Sequence, residues 1–402
     1  MRAEDILQAE FVAELRPFHL ARLRVFFTAV FAVFRSGRLS LTALGRAIAT
    51  ETTHKHGIKR VDRLLGNVVL QSAAAQLAFY RSIAKRLVRR DSRPIVLVDW
   101  TAVTPTLWAL TAAVPFDGRA LMIYAETHHT SRYLKRAVHS QFLHRLAAVL
   151  PSRCRPIVVA DAGFRSPFMK VIDALGWDYV IRVRGARNHT LVLPVNEQRP
   201  RGDNRRGAAP WKGADCLYGL ATRVPRELGR FLVGRRVQHE CRLVAVRKSA
   251  QRVLRGLPRA SSDAAKARRA AKEPWILATS LAKHSPKKVA HIYSQRMQIE
   301  ETFRDAKSPR FGFGLSQARA RSAERANVLL LLGAFAHLIA VLLGLATEEL
   351  NLERQFQANT IRRRRVNSLA SLGRLVMQAA AVLAFVVERV RWKRLRLKVA
   401  GL

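Results

Sequence analysis

The apolar positions divide the chain into stretches of different period. Up to about residue 90 they recur at helical spacing. Mixed apolar stretches at 11–23 and 29–33 are followed by Leu39, Leu41, Leu44 and Ile48, then by Ile58, Val61, Leu64 and Leu65. The last two sets predict a pair of short helices with a polar joint. Lys55, Lys59, Arg60 and Arg63 accompany the second, as in a small helical DNA-binding unit. An ordinary helical hairpin with a charged surface has the same spacing.

Near Asp91 the period changes. Residues 94–99 form an apolar run that ends in an acid, as a buried strand does. Two further strands are predicted at 106–114 and 120–127, with Asp117-Gly118 as a hairpin turn. A helix is expected at 137–150. Residues 156–161 repeat the first pattern, an apolar run closed by Asp161. A helix at 166–175, capped by Ser166, and a strand at 179–183 follow. Strand, strand, strand, helix, strand, helix, strand are the elements of a mixed sheet with helices on its faces. From 185 to 273 the pattern breaks into short β-like runs at 231–233 and 241–246 among Gly, Pro and Arg. This reads as a β-rich insertion followed by a basic loop, 251–272. A strand at 275–280 returns to the main pattern, and the remainder is helical.

One predicted helix, 291–307, concentrates chemistry on a single stripe. Tyr293, Arg296, Glu300 and Lys307 are spaced by three, four and seven residues. With Tyr293 at zero, the others fall at about 300°, 340° and 320°, an arc of roughly 60°. Pro309 is expected to end the helix. The neighbouring Glu301 lies about 100° round and points elsewhere. A carboxylate can hold a metal, and a phenol and two cations can hold phosphate. A salt-bridged surface helix has the same spacing.

Charge changes the picture. The chain has 402 residues, and 71 Lys and Arg against 28 Asp and Glu give a net charge of +43. Basic residues occur in every segment, the signature of a polyanion binder, with DNA or RNA foremost. Cys154, Cys216 and Cys241 are scattered without a CxxC pair, which argues against zinc sites and disulfides. The acids Glu4 and Asp5 and the lack of a continuous apolar core argue against a signal peptide. A cytoplasmic, reducing, nucleoid-associated setting is expected. Residues 326–346 are long and apolar enough to span a bilayer. Gly333, His337 and Gly344, and the charged helix just before, favour a buried core helix.

Asp99 and Asp161 each close an apolar strand, and parallel neighbours would bring them to one sheet edge. With Glu300 they supply three carboxylates. Two magnesium ions about 3.5–4 Å apart can stabilise the attacking and leaving oxygens of a phosphodiester displacement. Each takes one or two carboxylates besides water and phosphate.

Tyr293, Arg296, Glu300 and Lys307 match the Y-(2)-R-(3)-E-(6)-K signature, and the chain resembles the insertion-sequence-4 family of bacterial DDE transposases. The likeness runs through KHGIKRVDRLLGN, PIVLVDW, DAGFRSPF, GWDYVIRVRG, KEPWILAT, YSQRMQIEETFRDAKSPRFGFGL and QANTIRRRRV. It implies an α/β, ribonuclease-H-like catalytic core with a β-rich insertion, flanked by helical domains at both ends. The expected boundaries are 1–90 for a helical DNA-end-binding domain, 91–320 for the catalytic domain interrupted by 185–273, and 321–402 for the C-terminal helices. Asp99, Asp161 and Glu300 would be the catalytic triad holding two Mg2+ ions, with Mn2+ able to substitute. Tyr293, Arg296 and Lys307 would hold phosphates, and Lys59, Arg60 and Arg63 would contact DNA. Trp275 matches the position of a tryptophan on which an extruded base stacks. Its plain alternative is a core aromatic. The family excises its element through a DNA hairpin and acts as a dimer. A non-catalytic DNA-binding derivative and a nuclease of the same fold are the alternatives.

Overall fold

The computed structural model describes residues 3–48, 53–185, 190–197, 211–247, 273–308, 312–357, 360–361 and 364–390. The expected basic loop 251–272, Pro309, Arg362 and Arg363 lie outside the described residues. The N-terminal part is helical, as its spacing predicts. It comprises α1 (Ala3–Val12), α2 (Leu20–Ser36), α3 (Leu41–Ala47), α4 (His54–Leu65), α5 (Val68–Gln71) and α6 (Ala73–Leu87). Ser40 caps α3 by accepting from Ala43 N–H, and Ser72 caps α6 through Ala75 N–H. Each satisfies an amide that the helix itself leaves unpaired.

The sheet begins with β1 (Ile95–Ala102), β2 (Leu107–Phe116) and β3 (Arg119–His129). Asp117 and Gly118 join β2 to β3 with φ of 47° and 76°, the left-handed pair that a two-residue hairpin turn needs. Next come α7 (Arg136–Val149), β4 (Ile157–Ala160), α8 (Ser166–Ala174) and β5 (Asp178–Val183). Ser166 opens α8 but is not its cap; Arg165 stands there without a side-chain bond. The insertion supplies β6 (Leu191–Pro194), β7 (Lys212–Gly213), β8 (Arg226–Val233) and β9 (His239–Val246), and β10 (Trp275–Thr279) returns.

Among the described residues the ten strands form one sheet, ordered β3-β2-β1-β4-β5-β10-β9-β8-β6-β7. β1, β4 and β5 are parallel neighbours, and the other pairings are antiparallel. The first five strands in this order make the ribonuclease-H-like core. β10 lies between β5 and β9, so the strands of the insertion extend the core sheet.

The chain ends in α9 (Pro286–Ser294), α10 (Met297–Lys307), α11 (Ala323–Glu349), α12 (Leu369–Gln378) and α13 (Ala380–Arg389). Alternation along β1 sends Val96, Val98 and Trp100 into one apolar cluster with α2, α6, α7, α8 and α11. Ile95 and Leu97 enter a second cluster on the other face, with Val289, Ile292, Tyr293 and Ile299 of α9 and α10. Asp99 continues the second set, so strand pleating alone turns it toward α9 and α10.

The apolar segment 326–346 lies within α11, which is long and apolar enough to cross a membrane. Here it is mostly buried against α2, α6, α12 and β3. Phe335 meets Phe11, Phe26, Phe27 and Phe79 edge-on. Its polar Asn327 accepts Thr127 N–H of β3 at 2.7 Å. A Cβ on Gly344 would overlap the Leu369 carbonyl, and one on Gly373 the Ala340 carbonyl, so α11 and α12 cross backbone to backbone. Gly373→Ala is expected to cost about 3 kcal/mol, because two backbones must separate. Urea unfolding measures this, and a change below about 0.5 kcal/mol would contradict the crossing.

Candidate active site

β1 and β4 run parallel with Val98 opposite Ala160 as their last paired residues. The next residue on each is an aspartate, Asp99 and Asp161, so register brings the two carboxylates to one place. β4 stops there. β1 does not: it continues to Ala102, with Asp99 opposite Thr111 of β2. Asp99 is therefore mid-strand rather than terminal, a strand end that an apolar run alone could not locate. Each aspartate is fixed by a nearby amide. Trp100 N–H donates to Asp99 Oδ1 at 2.9 Å, and Gly163 N–H donates to Asp161 Oδ1 at 2.8 Å.

The predicted helix 291–307 is two helices. α9 ends at Ser294 and α10 starts at Met297. The joint closes by three-residue bonds, Arg296 N–H to Tyr293 O at 3.0 Å and Ile299 N–H to Arg296 O at 3.2 Å. These are the tighter turns of a 3-10 segment. The helix ends at Lys307 with Ser308 following.

Arg296 stands at that joint and is the centre of the site. Its guanidinium donates to Asp99 Oδ2 at 3.0 Å, lies 4.0 Å from Asp161 Oδ2 and pairs with Glu300 one turn on. Its side chain and that of Asp99 are each only 13 % exposed, against 42 % for Asp161 and 37 % for Glu300. Burial pushes the Asp99 carboxyl up to about 7, aided by the charges of Asp161 and Glu300 and opposed by Arg296 and the Trp100 amide. Burial acts to lower the Arg296 guanidinium, but Tyr293, Asp99, Glu300 and Asp161 outweigh it and raise it.

The other members of the predicted stripe face the same centre. Tyr293 is buried, which raises its phenol against the pull of Arg296 and Arg182. Lys307 is lowered by burial and drawn back up by Asp99. Trp275 sits edge-on to Tyr293, with ring centroids 4.7 Å apart. Glu301 points elsewhere and pairs with Arg304 at 2.9 Å. Lys59, Arg60 and Arg63 are exposed on α4, whose principal neighbours are α2, α3 and α11. They form a basic face of their own.

Two residues escaped the sequence. Tyr133 packs against Trp108 with the rings tilted by 42° and their centroids 4.6 Å apart, and burial and the charges of Asp161 and Asp99 raise its phenol. His139 accepts the Trp100 indole N–H at 3.0 Å and so holds the residue that caps Asp99. A lone tyrosine after a strand and a histidine within an amphipathic helix give no signal before folding. Burial pushes the His139 imidazole down to about 4, with His128 adding to the shift. The unfolded chain protonates that ring near 6.5, so stability is full above that value and falls as pH drops toward 4. The expected slope is about 1 kcal/mol per pH unit. His139→Gln keeps an acceptor but cannot titrate, and urea unfolding at about pH 7.5 and 5.5 should show a smaller loss; an unchanged loss would contradict it.

The donor set fits a divalent metal. Three carboxylates, hard oxygen donors, converge on one buried positive charge, and the guanidinium stands in for a cation. Among the described residues, no three acidic, histidine or cysteine side chains are placed to hold a metal directly as they stand.

A ribonuclease-H-like sheet carries Asp99 on β1 and Asp161 just past the end of its parallel neighbour β4, with Glu300 of α10 facing them. The family model described as the transposase DDE domain matches residues 90–339, more than half of the chain. The chain belongs to this family of DDE transposases. No curated protein matches it.

Proposed function

We propose that the chain is a cut-and-paste transposase of the insertion-sequence-4 family, akin to the transposase of the tetracycline-resistance transposon ten. It would bind the terminal inverted repeats of an insertion sequence, excise the element through a DNA hairpin and join it to target DNA. The observation that carries this reading is Arg296 bridging Asp99 and Glu300 within the Y-R-E-K spacing. Asp99, Asp161 and Glu300 are the catalytic residues and would hold two magnesium ions. Once bound, these ions supply Lewis-acid stabilisation of the attacking and leaving oxygens.

The chain's own residues do the rest. Register sets Asp99 on β1 beside Asp161 at the end of β4, and Glu300 closes on them from α10. Tyr293, Arg296 and Lys307 would hold phosphates at the cleaved transposon end. A water cuts one strand, and the freed 3′-hydroxyl attacks the opposite strand to make the hairpin. A second water opens it, and the 3′-hydroxyl attacks the target. Each step is an in-line displacement, so one set of residues serves all. Residues 1–90 form the end-binding domain, with Lys59, Arg60 and Arg63 on DNA. Residues 91–320 form the catalytic domain around the 185–273 insertion, and 321–402 the C-terminal domain. Trp275 offers a stacking surface near the cleaved end. Two copies would bridge the two ends, in a bacterial cytoplasm.

The test uses DNA carrying the element's own terminal repeat, incubated with protein and magnesium and resolved on a denaturing gel. A hairpin followed by a joined product is expected. Nicks alone would favour a nuclease, and binding without cleavage a non-catalytic DNA-binding derivative.

A further inference from the structure

The two aspartates of the site are held differently. Asp99 lies inside β1, where pairing with β2 fixes its backbone. Asp161 lies one residue past the end of β4, outside that strand's paired residues. Its place depends on the turn that follows it. Gly163 N–H donates to Asp161 Oδ1 at 2.8 Å, and Phe164 N–H donates to the Asp161 carbonyl at 3.2 Å. Such a turn is only as well placed as whatever anchors it to the body of the protein.

The anchor lies behind the sheet. Phe164 belongs to the apolar cluster on the face opposite α9 and α10, and there its ring stacks on His139 of α7, with centroids 4.6 Å and planes 28° apart. Phe168 packs edge-on to the same imidazole, 5.5 Å away. The other side of His139 meets β1. It accepts the Trp100 indole N–H on Nε2 at 3.0 Å, and the Trp100 backbone N–H in turn donates to Asp99 Oδ1 at 2.9 Å. His128 and Tyr133 hold that indole edge-on, 5.8 and 5.3 Å away. One imidazole thus touches both the residue after Asp99 and the turn after Asp161.

Stability alone does not call for a histidine here. His139, Trp100 and Phe164 are all buried. Burial pushes the imidazole down to about 4, so at neutral pH the ring is uncharged and one nitrogen accepts. Replacing both partners of such a hydrogen bond by apolar groups of the same shape is close to neutral for stability. What the bond supplies is direction. It fixes how the imidazole is turned, and with it the surface on which Phe164 rests. A pair of metal ions held by carboxylates needs that precision, because ligands must stay within about 0.5 Å of the working geometry.

We infer that His139 is a positioning residue for the metal site: through Trp100 on one side and Phe164 on the other, it sets the separation of Asp99 and Asp161. It acts on the carboxylates only through these two neighbours. The inference rests on the proposed metal-dependent reaction. It gives α7 a part in a site on the opposite face of the sheet.

The test is Mn2+ affinity, read by electron paramagnetic resonance on the full chain bound to end-repeat duplex, with the duplex alone as background. His139→Phe keeps a ring on Phe164 but removes the acceptor, and should weaken manganese binding by about tenfold, as loss of a supporting partner does at metal sites. His139→Gln, which keeps an acceptor, should stay within about threefold of wild type. Trp100→Phe removes the same hydrogen bond from the other end. It should match His139→Phe, and the double variant should bind no more weakly than either single one. Urea unfolding of each variant identifies a merely structural role, which would lower stability and leave the affinity of the folded protein unchanged. Wild-type manganese affinity in folded His139→Phe or folded Trp100→Phe would overturn the inference, as would equal losses in His139→Phe and His139→Gln. No manganese binding by the wild-type complex beyond background would overturn the metal reading itself, and the inference with it.

Discussion

Glu300→Gln is expected to lower strand cleavage by at least about 10^3-fold while DNA binding stays near wild type. Glutamine keeps the length and the hydrogen-bonding oxygen of Glu300 but removes its charge. The fold should not notice. Glu300 is 37 % exposed on α10, and its ion partner Arg296 retains Asp99. The chemistry should, because one of three carboxylates that offset a divalent ion is gone. A denaturing gel with end-repeat DNA reads cleavage, and anisotropy reads binding. Cleavage at the wild-type rate would remove Glu300 from the catalytic residues.

Arg296→Ala should destabilise the fold itself, by about 1–3 kcal/mol, less than the usual cost of stripping the partner from a buried charge, because Asp99, already pushed up to about 7, can take up a proton instead. The loss falls chiefly on Asp99, which is as buried as the arginine, whereas Asp161 and Glu300 reach solvent and are screened. Adding Asp99→Asn to the alanine variant should therefore recover a large part of the loss, since an amide carries no charge to strand. Urea unfolding of wild type, both single variants and the double variant forms the cycle. If Arg296→Ala costs the same with and without Asp99→Asn, the guanidinium does not hold the carboxylates together.

Much of the site was legible before folding. The runs 94–99 and 156–161 are almost continuously apolar, as strands buried on both faces must be, and their parallel pairing places the two aspartates side by side. The four-residue stripe was also visible, but its geometry was not. Apolar periodicity cannot distinguish an unbroken helix from two helices joined by a short turn, since both keep Ile292 and Ile299 inside. The break at 295–296 matters because it sets Arg296 among three carboxylates instead of on a helix surface. Ser166 has the right chemistry for a cap yet lies one residue inside its helix, within the ordinary uncertainty of helix ends. Pairing of β9 with β10 joins residues about thirty apart across the insertion, and local pattern carries no information on such register. Tyr133 and His139 gained their places only through tertiary contacts. The apolar run 326–346 is ambiguous by composition; in the fold it is surrounded by the phenylalanines of α1, α2 and α6.

On the proposed mechanism, Asp99, Asp161 and Glu300 together hold the metal used for strand cleavage. Electron paramagnetic resonance of Mn2+ tests it most directly, with wild type and Asp161→Asn each bound to the same end-repeat duplex and the duplex alone as background. Asp161 is partly exposed and outside β4, so the variant should fold and bind DNA as before. The wild-type complex is predicted to bind manganese tightly beyond the DNA background, and the variant to lose that binding. Equal manganese binding by the two complexes would contradict the account.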